Sequence, residues 1–166
     1  LGERLRYDQL NLPESCLKLH TDTNSALNTV TGYGDGFVEI NQTRFNHAIA
    51  FGPLGAVEHW PAGAASDITT DLLLLAAKLR IAPLDPMAFL DATESNELRL
   101  DGVRPEVLLV GTGNRQCMLS HTILLPLLQA GVGVECMSTQ AAARTYNILM
   151  AEGRQVIAAL LPEHTT

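Results

Sequence analysis

After Pro105 the chain falls into three short aliphatic runs, Glu106–Val110, Val132–Met137 and Gln155–Leu161, separated by two segments of helical length. Gly131 and Gly153 stand just past the last apolar residues of those segments, where a helix commonly ends on a left-handed residue. A β-α-β-α-β order over residues 105–162 predicts parallel strands covered by helices, because parallel neighbours need a crossover between them. Right-handed crossovers then bring both strand-to-helix turns to one border of the sheet. The fold class that follows is α/β.

Residues 16–60 read differently. "CLKLHT", "LNTVTGY" and "FVEIN" are short strands, the last two joined across Gly34-Asp35-Gly36, a hairpin signal because Asp-Gly accepts positive φ. "FNHAIAFGP" and "GAVEHW" predict a further antiparallel pair around Gly52-Pro53. Thr69–Arg80, "TTDLLLLAAKLR", predicts a helix capped by Thr69 or Thr70. A Pro-bounded acidic stretch follows, read as a short helix at Met87–Asp91 and then a surface loop. With 166 residues, 46% of them hydrophobic and 17% charged, the chain is expected to form one globular domain over 1–166.

The net charge of −7 excludes one class of partner. Three basic residues (Arg115, Arg144, Arg154) face four acidic ones after Pro105, leaving −1 there and −6 before it, with no basic cluster. Nucleic-acid binding needs several phosphate-neutralising side chains on one surface, so no nucleic acid is expected. The longest apolar run, Leu72–Ala77, falls short of a membrane helix, so no integral membrane segment is expected. Leu1 opens the chain with no charged-then-apolar leader, which reads as a trimmed or disordered start rather than a secretory signal. Cys16, Cys117 and Cys136 form no CxxC pair and suit free thiols in a reducing, cytoplasmic setting, with no metal and no cofactor implied.

"PEVLLVGTGNRQ" looks like the opening of a nucleotide-binding unit, but Gln116 takes the place of the third glycine that close helix packing requires. No GK[ST] follows, so it is not a Walker A loop either. Ser120 is the best N-cap for the next helix, and Pro126 removes one of that helix's hydrogen bonds. The turn therefore reads as a strand's exit bend. The second turn leads into a helix of about fourteen residues capped by Ser138 or Thr139. Ala141, Ala142, Tyr146, Leu149 and Met150 are its expected buried stripe.

Side by side, the turn Gly111, Thr112, Gly113, Asn114 and the helix start Ser138, Thr139 predict a cleft with amides suited to an anion or carbonyl oxygen. Arg144 would neutralise charge there. Two roles are open to Glu135, set among Val, Gly, Cys and Met: a partly buried ion pair with Arg144 or Arg115, or an acid/base group. Cys117 and His121 would share a helix face only if the segment after Asn114 were helical throughout, which Pro126 and the Ser120 cap oppose. Trp60, the only tryptophan, reads as core or rim, with a partner-binding anchor as the other use.

"PEVLLVGTGNRQ" with "AGVGVECMSTQAAARTYNILMAEGRQVIAALLP", and upstream "TGYGDGFVEIN" with the Trp60 region, resembles the Mth-type domain family of unknown function. The likeness spans about two thirds of the chain and is strongest over its last sixty residues. Members of that family include a respiratory complex I assembly factor and small bacterial proteins. The resemblance implies a three-layer sandwich: a central mixed sheet, helices on one side, and a helix with a small antiparallel β layer on the other. It carries over onto Gly111, Thr112, Gly113, Gln116, Gly131, Glu135, Met137, Thr139, Arg144, Thr145, Tyr146 and Asn147. Ser138 stands where relatives commonly have aspartate, and Leu84–Gly102 looks like an inserted loop. No catalytic activity is implied. The expected function is a non-catalytic binding or assembly module with a protein partner; the alternative is a small-molecule or anion binder, or an enzyme, using the cleft.

Overall fold

The computed structural model describes residues 27–81 and 100–164. In chain order its elements are β1 (Val30–Gly34), β2 (Phe37–Ile40), β3 (Thr43–Phe45), β4 (Ile49–Phe51), β5 (Glu58–His59), α1 (Thr70–Ala76), β6 (Arg80–Ile81) and β7 (Leu100–Asp101). Then come β8 (Val107–Gly111), α2 (His121–Gln129), β9 (Gly133–Met137), α3 (Thr139–Ala151) and β10 (Val156–Leu160). The "CLKLHT" strand, the Met87–Asp91 helix and most of the Leu84–Gly102 stretch lie outside the described residues.

A five-stranded sheet runs β5-β4-β10-β8-β9, and β1-β2-β3 make a separate antiparallel sheet. β8 pairs in parallel with both β9 and β10, while β4 runs antiparallel to β10 and to β5. The central sheet is therefore mixed. Along β8 the side chains alternate as a pleat requires. Leu108 and Val110 join Leu127 of α2 and Leu73 and Leu74 of α1 on one face. Leu109 joins Ala142, Ala143 and Tyr146 of α3, with Val38 and Ile40 of the small sheet, on the other. This is the three-layer sandwich expected: α1 and α2, then the sheet, then α3 with the β layer.

Both helix-ending glycines do what their positions foretold. Gly131 has φ +79° and Gly153 φ +77°. Val132 N–H reaches back to the Leu127 carbonyl and Arg154 N–H to that of Leu149, each at about one full turn beyond the helix end.

Two expectations need correction. The helix expected over Thr69–Arg80 keeps Thr69 as its cap but ends at Ala76. Lys78 takes the left-handed position at φ +56°, Leu79 N–H closes on the Leu74 carbonyl, and the chain leaves as β6. A lysine there gives no advance notice, because glycine is the usual sign. "FNHAIAFGP" is not one strand: Phe45 ends β3 in the small sheet and Ile49–Phe51 form β4 in the large one. β3 exists because Asn41 and Gln42 both adopt positive φ (48° and 67°), closing a two-residue hairpin without glycine. Trp60 takes the core reading rather than that of a partner-binding anchor: it is 1% exposed and its indole N–H donates to the Leu72 carbonyl at 2.9 Å.

Candidate functional site

Gly111 and Met137 are direct partners at the ends of β8 and β9, so the two strand-to-helix turns share one border of the sheet. They do more than adjoin. Thr139 N–H donates to the Gly113 carbonyl at 2.9 Å, and Gly113 N–H donates to Thr139 Oγ1 at 3.0 Å. The Thr139 hydroxyl, fully buried, in turn donates to the Leu161 carbonyl just past β10. Thr112 N–H donates to the Met137 carbonyl, and the Thr112 hydroxyl accepts from Cys117 N–H at 3.0 Å. Three chain segments are thereby tied at one point.

The first amides of α3 are all engaged within the chain. Thr139 N–H uses Gly113, Gln140 N–H donates to the Glu163 carboxylate at 3.2 Å, and Ala141 N–H donates to Ser138 Oγ at 3.4 Å. An anion is favoured at a helix start; here the chain supplies its own in Glu163. Nothing in the local sequence around residues 138–144 announces that residue, because it arrives from beyond β10. Among the described residues, no buried side-chain nitrogen or oxygen lacks a hydrogen-bond partner.

Gly111 is required by close approach. A Cβ built on it would lie 2.8 Å from Leu160 Cδ2, 2.9 Å from Thr139 Oγ1 and 3.0 Å from Thr139 Cα. That answers what the glycine-rich turn is for: it admits the start of α3 against the strand end.

Other expected members stand elsewhere. Glu135 is exposed, and it forms no ion pair with Arg144 or Arg115. β9 is the edge strand, and α3 packs chiefly over β8 and β10, leaving the Glu135 position open to water. Arg144 is exposed on the outer side of α3 and donates to Gln140 Oε1 at 3.1 Å. Cys117 is an exposed free thiol on a non-helical segment before α2, so it shares no helix face with His121. Cys136, by contrast, is buried, and that burial pushes its thiol above the ordinary range, against a Leu119 backbone hydrogen bond that lowers it. The buried side of α3 includes Thr139 and Ala143, which the expected stripe omitted, while Ala141, Leu149 and Met150 are half-buried.

Tyr146 and Asn147 have a clear structural task. The Tyr146 hydroxyl donates to the Asn28 carbonyl at 3.0 Å. Asn147 holds both backbone groups of Val30: its Nδ2 donates to the carbonyl at 2.8 Å and its Oδ1 accepts the N–H at 3.0 Å. These bonds fasten the small sheet to α3. Burial pushes the Tyr146 phenol far above its ordinary pKa. Stability from the neutral phenol is therefore full below about pH 10 and is lost as pH rises through the folded value. The phenolate signal of Tyr146, isolated as the difference between the wild type and Tyr146→Phe, should appear only together with alkaline unfolding. A Tyr146 phenolate at about pH 10 in the folded protein would contradict the burial.

Two hollows flank the sheet ends. One, of about 570 Å³, lies on the far side of the glycine turn, with Thr112–Arg115, Cys117 and His164 on its walls. The other, of about 510 Å³, lies at the opposite border, where β8 and β10 begin. Among the described residues there is no cluster of three or more metal-binding side chains, and no helix is long and apolar enough to cross a membrane.

A family described as protein of unknown function (DUF498/DUF598) matches residues 30–161. NADH dehydrogenase (ubiquinone) 1 alpha subcomplex assembly factor 3 of Bos taurus is 31% identical over 162 residues, 98% of this chain and 70% of that protein. The Rattus norvegicus protein of the same name is 42% identical over 59 residues, 36% of this chain and 32% of its own length, so that match spans about a third of the relative. A solution structure of a Bordetella pertussis protein described as a Mth938-like domain is 58% identical, covers 90% of this chain and 95% of its own, and superposes with a TM-score of 0.71. A crystal structure from Bordetella parapertussis is 54% identical, covers 83% and 98%, and gives a TM-score of 0.67.

Proposed function

From the premise that this chain belongs to the DUF498/DUF598 family of proteins of unknown function, the Mth-type domains, we propose that it is a non-catalytic cytoplasmic module that works by binding a protein partner. Its likeness to an assembly factor supports that reading. The observation that carries it is the knot at the strand ends. In an open α/β sheet that border is where ligands usually bind. Here Gly113, Thr139, Gln140 and Ala141 direct their amides at Thr139, Gly113, Glu163 and Ser138 instead. Glu135, expected as a proton-moving group of the enzyme alternative, and Arg144, expected to neutralise charge there, both stand on exposed positions without an ion pair between them.

A second reading rests on the hollow beside Thr112–Arg115. Arg115, exposed and without an ion-pair partner among the described residues, would there replace Arg144 as the group that meets an anion. One set of measurements separates the two. Tagged at its native level and captured after crosslinking, the chain should recover one partner in near-equal amount, and tagging that partner should recover this chain. A panel of anionic metabolites should leave the melting midpoint of the purified protein unchanged. A midpoint raised by one of them and restored by Arg115→Ala, with no reciprocal capture, would transfer the conclusion to the second reading.

A further inference from the structure

We propose that the groove at the strand-start border is the partner-docking surface, and that it takes a peptide segment of apolar side chains flanked by carboxylates; the inference rests on the partner-binding reading above. Leu54, Val103, Met150 and Ile157 wall this hollow of about 510 Å³, a size within the range of ligand pockets. Leu54 is 67% exposed and Val103 84%. Both stand proud of the hollow, where an enclosed small molecule would leave them in water and a partner's surface would cover them. Contiguous apolar exposure of this kind marks interaction sites on soluble domains.

Charge selects the kind of segment. The protein is strongly acidic, at −7 overall, yet the described residues lining this groove include Lys78 and Arg154 and no carboxylate. Each cation is held from outside the groove: Lys78 Nζ by Glu58 at 2.9 Å and Arg154 Nη2 by Glu106 at 3.0 Å. All four side chains are about half exposed, and solvated pairs of this sort bind weakly, so a partner's carboxylates can share or take over the cations. A basic segment seated in the groove would meet Lys78 and Arg154 directly, with Glu58 and Glu106 outside it. Complementarity of this kind fixes specificity and steers encounter.

The test uses isotope-labelled whole protein and two short, end-blocked, leucine-rich peptides, identical except that aspartates in one are lysines in the other. The aspartate peptide should shift the amide signals of Leu54, Val103 and Arg154 and bind at least about tenfold tighter than the lysine peptide. Lys78→Glu combined with Arg154→Glu should reverse that order. Val103→Asp, on an exposed side chain, should keep the melting midpoint and weaken the aspartate peptide about tenfold or more. Equal binding of the two peptides, no binding of either, or shifts confined to the Thr112–Arg115 hollow overturns the proposal. So does octanoate filling the groove while both peptides are ignored. If Val103→Asp leaves the captured cellular partner in place, this surface fails and the partner-binding reading stands; if the wild type captures nothing, that reading itself fails.

Discussion

Replacing Gly111 by alanine destabilises the protein by about 3 kcal/mol, because a methyl group is forced into a site with no room for it. For a chain of this size that lowers the thermal midpoint by roughly 6–12 °C. The nearest atoms to the new Cβ include Thr139 Cα at 3.0 Å, which is backbone and cannot swing away as a side chain does. Moving it displaces the Thr139 hydroxyl, which both receives Gly113 N–H and donates to Leu161. The overpacking and the loosened hydrogen bonds thus act together. Gly113→Ala is the control. Its φ of +88° strains any side chain, but among the described residues the only atom within 4 Å of a built Cβ is the Pro162 carbonyl oxygen, at 3.8 Å. That variant should lose about 1–2 kcal/mol from backbone strain alone. Urea unfolding of both variants checks the ranking. Equal losses, or a larger loss at Gly113, would mean that the turn's conformation matters and the approach of α3 does not.

The contrast between these glycines shows which parts of the structure the residues announce. Short aliphatic runs punctuated by Gly131 and Gly153 disclose the C-terminal half because each signal is local: a strand's residues and a helix's end are read within a few positions. Asn41, Gln42 and Lys78 adopt left-handed conformations that sequence reading assigns to glycine first, so neither β3 nor the early end of α1 is legible there. The strand-end border was legible as a place, since consecutive crossovers fix it. Its content was not, because the groups that fill it come from afar: Leu161 and Glu163 lie over twenty residues beyond Thr139 and Gln140. Glu135 was misjudged for a related reason. Composition says that a carboxylate among aliphatic residues is enclosed, but strand order puts β9 at the edge. The apolar groove has no local signature at all; Leu54, Val103 and Met150 meet only through the topology.

Asn147→Ala should release the small sheet from the rest of the molecule while leaving the five-stranded sheet intact. One side chain satisfies both backbone groups of Val30, at 2.8 and 3.0 Å, and alanine leaves that carbonyl and N–H facing α3 with no protein partner. A partly buried group left unmade costs about 1–3 kcal/mol, so the pair amounts to about 2–4 kcal/mol after water recovers some of it. The loss is local in kind. β1 is also held by its register with β2, and the Tyr146–Asn28 bond to α3 remains in the variant, but it holds the chain two residues before the strand and leaves Val30 itself unfastened. Amide hydrogen exchange should therefore speed up across β1, β2 and β3 while β8 and β10 keep their protection, since regions of a fold open at different free energies. Asn147→Asp refines the argument. Its carboxylate still accepts from Val30 N–H, yet its second oxygen faces the Val30 carbonyl with nothing to donate, so at neutral pH it should fare no better than alanine. Below the carboxylate's pKa a proton restores the donor and part of the protection should return. Uniform acceleration over both sheets in Asn147→Ala would show that the two layers open as one unit, and that this side chain is no separate fastening.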